Sequence, residues 1–221
     1  MNIFLYLIIL IIPIIAQYNI MSAYGKYKKV NNSKNLSGFE VARKILDENG
    51  LSDIYVVETS GNLSDHYDPS RKVIKLSKDV FNKNTIAAAS VAAHECGHAI
   101  QDKESYTFMR IRSFLAPVVS LVSNLSWIVI IIGLSAQLTN LFMLGIGMIF
   151  IILIFQLVTL PVEFDASKRA MNELVKLDLV EQEQSYGVKK VLSAAAMTYV
   201  AAVITSILEI IRLIIVFSDD R

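Results

Sequence analysis

Apolar positions in this chain are gathered into long runs. Residues 1–25 contain no Asp, Glu, Lys or Arg, and neither do residues 113–162 or 191–208. A membrane-crossing helix needs about 20 consecutive, mainly apolar residues. Ile3 to Met21 meets that requirement. It has no basic stretch before it and no small-residue cleavage site after it, so it reads as an anchor rather than a removable leader. The middle run is too long for one crossing and breaks at Ser135-Ala-Gln-Leu-Thr-Asn140, which predicts spans near 114–134 and 141–160. A fourth span is predicted near 191–217. Its outer part holds Glu209 and Arg212, spaced i,i+3 so that they can pair on one face.

Outside these runs the periods shorten. Ser37 and Glu40 are spaced as a capping box, Val41, Ala42, Ile45 and Leu46 form an apolar stripe, and Gly50 supplies a stop, together predicting a helix. Asp53–Glu58 reads as a strand and Gly61–Ser70 as turns. Arg71–Leu76 alternates polar and apolar residues and reads as a second strand, completing a short β-hairpin. An alanine-dense helix is predicted from about Thr85 to Asp102, and another over 162–184 with Pro161 near its first turn.

Composition confirms two phases rather than one. The chain is 54% hydrophobic and 19% charged, yet every charged residue falls outside the three charge-free stretches. Such hydrophobicity excludes a disordered tail, and a net charge of +1 gives no field for holding nucleic acid. A single cysteine, Cys96, excludes an internal disulfide framework. Lys26, Lys28 and Lys29, Arg110 and Arg112, Lys168 and Arg169, and Lys189 and Lys190 all flank spans, whereas the 135–140 turn is uncharged. The positive-inside rule then puts loops 22–113 and 161–190 in the cytoplasm and both termini outside. The expected organisation is a first span in 1–25, a cytoplasmic region 26–113, two spans in 114–160, a cytoplasmic helix in 161–190 and a fourth span in 191–217.

The chemistry centres on His94-Glu95-Cys96-Gly97-His98. At i and i+4 of a helix, His94 and His98 project from one face and can share one Zn²⁺. Glu95 is rotated about 100° from His94, placed for a water rather than for the metal. Ala87, Ala88, Ala89, Ala92 and Ala93 leave little bulk, so this helix can pack closely. Cys96 is expected as a small buried side chain pointing away from the metal. The expected fold is therefore mainly α: a multi-pass helical membrane protein of about four spans with a small α+β zinc metallopeptidase domain.

A catalytic zinc needs a third protein ligand. The candidates are His66, Glu163, Asp165, Glu173 and Glu209. Two spans separate His98 from Glu163 and return the chain to the face it left, which brings Glu163 and Asp165 back together.

Three segments carry a resemblance: His94-Glu-Cys-Gly-His-Ala-Ile-Gln101, Asp65-His-Tyr-Asp-Pro69 and Leu160-Pro-Val-Glu-Phe-Asp-Ala-Ser167. In this order, and over most of the chain from about Ser22, they resemble the YugP-type membrane-bound neutral zinc metallopeptidases. Those are similar in logic to the HtpX-like and CAAX-prenyl proteases, gluzincins with two histidines and a downstream glutamate on zinc. The resemblance implies Glu163 as the third ligand and one Zn²⁺ per chain. In the HtpX-like group an Asp follows the ligand glutamate by four residues and supports a ligand histidine. Here that position is Ser167, so Asp165 or Ser167 is left for the task. The Asp65–Pro69 block also belongs to the resemblance, which makes His66 and Tyr67 candidates for an oxyanion donor or a supporting contact.

The expectation is a zinc endopeptidase acting on peptides or membrane-protein segments at the cytoplasmic membrane surface, with Glu95 as general base. Val73–Leu76 is the expected edge for an extended peptide. The alternative is a membrane scaffold with a structural or degenerate zinc site, against which the intact Glu95 argues. An intramembrane protease with its metal helix as a span fits poorly, because Asp102, Lys103 and Glu104 follow that helix at once and the chain has no Asp-Gly pair.

Overall fold

The structure is a computed structural model and describes residues 3–219. Helix α1 (Ile3–Tyr27) is followed by α2 (Gly38–Glu48), strands β1 (Tyr55–Thr59), β2 (His66–Asp68) and β3 (Val73–Ser77), and a short α3 (Lys78–Asn82). Four helices complete the chain: α4 (Ile86–Lys103), α5 (Thr107–Ser135), α6 (Thr139–Lys176) and α7 (Ser185–Asp219). It is a mainly α protein. Helices α1, α5 and α6 and the stretch Gln182–Ser218 are long and apolar enough to cross a membrane. Pro13, Pro117 and Pro161 lie inside the first three of these.

The chain divides into two compact units. One comprises the chain up to Gln17, Thr107–Pro161 and the stretch from Met197 onward. Its buried cluster is small: Ile130, Phe142, Ile146, Ile149 and Leu213. Large side chains such as Phe114, Leu121, Ile131 and Phe150 are exposed. Glu209 and Arg212 pair as expected, through Arg212 Nε to Glu209 Oε2 at 3.0 Å. The Arg212 guanidinium also lies over the Tyr6 ring, 4.6 Å from its centroid.

The other unit comprises Tyr18–Tyr106 and Val162–Ala196. Its core packs α4 against α2, β3 and the second segment, with Val41, Ile45, Leu46, Ile74, Leu76, Val80, Leu174 and Val188 fully buried. The predicted capping box starts α2: Glu40 N donates to Ser37 Oγ and Ser37 N to Glu40 Oε2. Gly50 follows the helix at φ +64°.

Two readings of this unit need correction. The strands expected as a hairpin pair in parallel, Tyr55 with Val73 through Thr59 with Ser77. The connection between them holds a third strand, β2, inside the stretch expected to be turns, and β2 pairs antiparallel with the other side of β3. The order is β1-β3-β2. Consequently Val73–Leu76 is the central strand, with both edges occupied, and cannot receive a peptide. The helix expected over 162–184 is also not separate. Helix α6 runs unbroken through Pro161 to Lys176, where Leu177–Val180 turn the chain. Proline inside a long apolar helix is tolerated when neighbouring groups satisfy the backbone it frees.

Candidate metal centre

Helix α4 begins at Thr85, whose hydroxyl accepts from Ala88 N at 3.2 Å. Its alanines are fully or almost fully buried, so partner helices approach its backbone from several sides. The closest approach is at Gly97. A Cβ there would stand 2.5 Å from the carbonyl oxygen of Ala166 on α6. This contact brings α6 against the face of α4 that carries both histidines.

There His94, His98 and Glu163 meet, with one ligand atom from each lying within 4.8 Å of the others. Glu163 Oε2 is 3.3 Å from His94 Nε2 and 3.7 Å from His98 Nε2. Donors at about 2.0–2.2 Å from a tetrahedral zinc stand about 3.4 Å apart. The spacing therefore fits that ion, and two imidazoles with one carboxylate are a donor set it takes. Glu163 is only 3% exposed, and a carboxylate buried so deeply is stabilised by a cation beside it. The two rings meet edge to face, at 4.7 Å between centroids. That leaves Nε2 of each ring on the Glu163 side.

Both ring Nδ1 atoms have partners. Ser167 Oγ lies 3.3 Å from His94 Nδ1, and Gln101 Oε1 lies 3.0 Å from His98 Nδ1. Of the two residues expected to support a histidine, Ser167 is the one in contact with a ring nitrogen. Asp165 instead accepts from Gln101 Nε2 at 2.9 Å and from Arg169 Nε at 2.5 Å. Gln101 is the residue the sequence reading missed. Its signal was present: three residues after His98 on the same helix, it lies on the histidine face.

Glu95 is buried beside the cluster, and its Oε2 accepts from the backbone N–H of Tyr67 at 2.9 Å. Burial pushes its carboxyl up to about 7; the nearby His94 opposes this, and Glu163 and Asp65 reinforce it. Asp65 accepts from Ser77 N and Oγ at 2.7 and 3.0 Å, which pins the start of β2 to the end of β3. Burial raises its pKa as well. Tyr67 sends its hydroxyl to Asp102 at 2.9 Å, so the group considered as an oxyanion donor is turned to the end of α4. His66 is exposed, with its Nδ1 2.8 Å from the Ser64 carbonyl. Neither Glu173, which accepts from Asn49 at 2.9 Å, nor Glu209 is in the cluster. Cys96 is fully buried on the other face of α4, its thiol directed at Ala42 O at 3.6 Å. Burial puts its pKa well above the usual thiol value.

With this arrangement in view, comparison with known proteins is decisive. Residues 2–218 match the model of a family described as "Putative neutral zinc metallopeptidase". The chain belongs to that family. It is also 44% identical over 206 residues, covering 93% of this chain and 92% of the other, to a Bacillus subtilis (strain 168) protein described as "Putative membrane protease YugP". No solved structure matches the chain. Membership of this zinc metallopeptidase family accords with the His94–His98–Glu163 cluster and with the long apolar helices.

Proposed function

We propose that the protein is a membrane-bound zinc endopeptidase that hydrolyses peptide bonds at the cytoplasmic membrane surface. The observation that carries this reading is the convergence of His94, His98 and Glu163 from two helices, with the buried Glu95 alongside. His94 Nε2, His98 Nε2 and a Glu163 oxygen would hold one Zn²⁺. Bound there, zinc supplies Lewis acidity that polarises a carbonyl and acidifies a water.

The chain's own residues do the rest. Tyr67 N–H holds Glu95 Oε2, so proton exchange falls to Oε1. Glu95 Oε1 takes a proton from the attacking water as oxygen adds to the scissile carbonyl carbon, and delivers it to the amide nitrogen as the C–N bond breaks. Burial raises the proton affinity of this carboxyl, which suits a group that takes a proton from water and then passes it on. Substrate lies extended along β2, the edge strand whose Tyr67 N–H already faces Glu95. The cytoplasmic assignment rests on the Lys and Arg residues that flank the spans.

The test is metal analysis of the full chain in detergent, paired with cleavage of casein and of a reconstituted membrane protein. One zinc per chain, and cleavage abolished by a chelator and restored by zinc, are expected. A protein that holds zinc but cleaves neither substrate would sink the enzyme reading in favour of a scaffold.

A further inference from the structure

Gln101 is fully buried, uncharged, and bonded at both ends of its amide. Its Nε2 lies 2.8 Å from the Val162 carbonyl and 2.9 Å from Asp165 Oδ2. A carbonyl oxygen has no proton to give, so the Gln101 atom facing Val162 must be the donating nitrogen. The same Asp165 oxygen already accepts from Arg169 Nε at 2.5 Å, and Arg169 is held in turn by Glu104 at 2.7 Å. The amide therefore cannot be turned over without setting oxygen against oxygen. Its Oε1 is left facing His98 Nδ1. An amide oxygen only accepts, so Nδ1 carries the ring proton and Nε2 presents its lone pair on the Glu163 side.

From this we propose that Gln101 is a positioning residue with two tasks. It fixes the tautomer in which His98 can bind a metal, and it ties α4 to the turn of α6 that carries Glu163. The inference rests on the zinc reading of the cluster. Carboxylates commonly orient a metal-binding histidine in this way. A glutamine gives the same direction without adding a negative charge to a site that already holds Glu95, Glu163 and Asp165. Its second bond, to the residue just before Glu163, joins positions 61 apart in sequence and sets the spacing between ligands on different helices.

The chain has three histidines, so its ring nitrogens can be followed singly after ¹⁵N-histidine labelling. Two quantities are read on the full chain in detergent: the ring nitrogen shifts of His98 in zinc-free protein, and zinc affinity by competition with a chelator. Wild type should show the Nδ1–H tautomer of His98. Gln101→Met, which keeps bulk without hydrogen bonds, should lose that bias and weaken zinc binding by about 10- to 100-fold. Gln101→Glu keeps an acceptor toward His98 and should retain the Nδ1–H signal, but it sets oxygen against the Val162 carbonyl and Asp165 and should weaken zinc binding. Ser90→Ala removes a different buried bond of the same helix, from Ser90 Oγ to Ile86 O at 2.7 Å, and should leave both quantities unchanged.

Wild-type tautomer and affinity in Gln101→Met would overturn the role, as would an equal loss of zinc in Ser90→Ala. If Gln101→Met does not fold, loss of the Nδ1–H signal in Gln101→Glu overturns it instead. A wild-type chain that takes up no zinc defeats the metal reading itself. Zinc bound equally by wild type and Gln101→Met defeats only the part given to Gln101.

Discussion

In the unit containing α5 and most of α7, Phe114, Leu121, Ile131 and Phe150 face outward and few side chains are fully buried. In the unit built from Tyr18–Tyr106 and Val162–Ala196 the reverse holds, with a dense core and charges gathered at the surface and the site. Each suits a different solvent. Apolar side chains that face lipid need no partner, so the first unit gains little from excluding its surroundings and depends on close helix contacts. The second must bury apolar area from water, and in doing so it can hold Glu95 and Glu163 in a poorly solvated pocket. The lesson is that the same apolar fraction has two uses. One unit spends it on span length, the other on an environment that alters carboxylate chemistry.

This contrast can be attacked at four points. The largest effect is expected at Glu95→Gln: cleavage should fall by about 10²- to 10⁴-fold while zinc content stays at the wild-type level. Cleavage within tenfold of wild type would remove Glu95 from the mechanism. Next is the ion pair in the other unit, where Arg212→Met should cost about 3 kcal/mol by stranding the buried Glu209. The double variant Glu209→Gln/Arg212→Met should recover most of that loss, as read by detergent or heat unfolding. If the double change is as damaging as the single one, the two residues do not act as a pair.

Third comes a matched glycine comparison. Gly97→Ala would press a methyl group on Ala166 and should destabilise by about 1–3 kcal/mol, with loss of zinc. Gly147→Ala meets nothing within 4 Å and should be neutral or stabilising by up to about 1 kcal/mol. Equal effects on unfolding would erase the distinction between the units. The smallest effect is at the start of α2, where Ser37→Ala should cost about 1 kcal/mol. Its hydrogen bonds to Ser37 hold the Glu40 carboxyl below the ordinary value of 4.5. A carboxylate with a depressed native pKa binds fewer protons folded than unfolded. Its stabilisation is therefore present above the ordinary glutamate range and lost as pH falls through the native value. The Ser37→Ala penalty should shrink in acid; a penalty independent of pH would argue against the reciprocal cap.

Much of this was legible because it depends on short-range pattern. The four apolar runs, the α2 cap and the i,i+4 histidines are all local, and each is found where local rules put it. The parallel pairing of β1 with β3 was not, since strand direction is set by where the intervening chain goes, and the three residues of β2 are too short to register as a strand. The continuity of α6 was hidden by Pro161, which reads as a boundary in water and not in a long apolar helix. Glu163 was reached by counting spans and by resemblance. Gln101 went unweighed because glutamine neither titrates nor binds metal; its importance lies in partners 61 and 64 residues away.

The unit that holds the candidate metal centre is assembled from two segments with α5 and most of α6 between them. Synthesis proceeds from the N-terminus, and domains generally fold as units. The histidines on α4 must wait until Glu163 has been made, and the core must wait longer still for Val188, Val191 and Leu192. A nascent chain thus carries His94, Glu95 and His98 without Glu163 until both intervening hydrophobic segments have left the ribosome. Order of synthesis alone keeps the cluster of His94, His98 and Glu163 from closing in an unfinished copy.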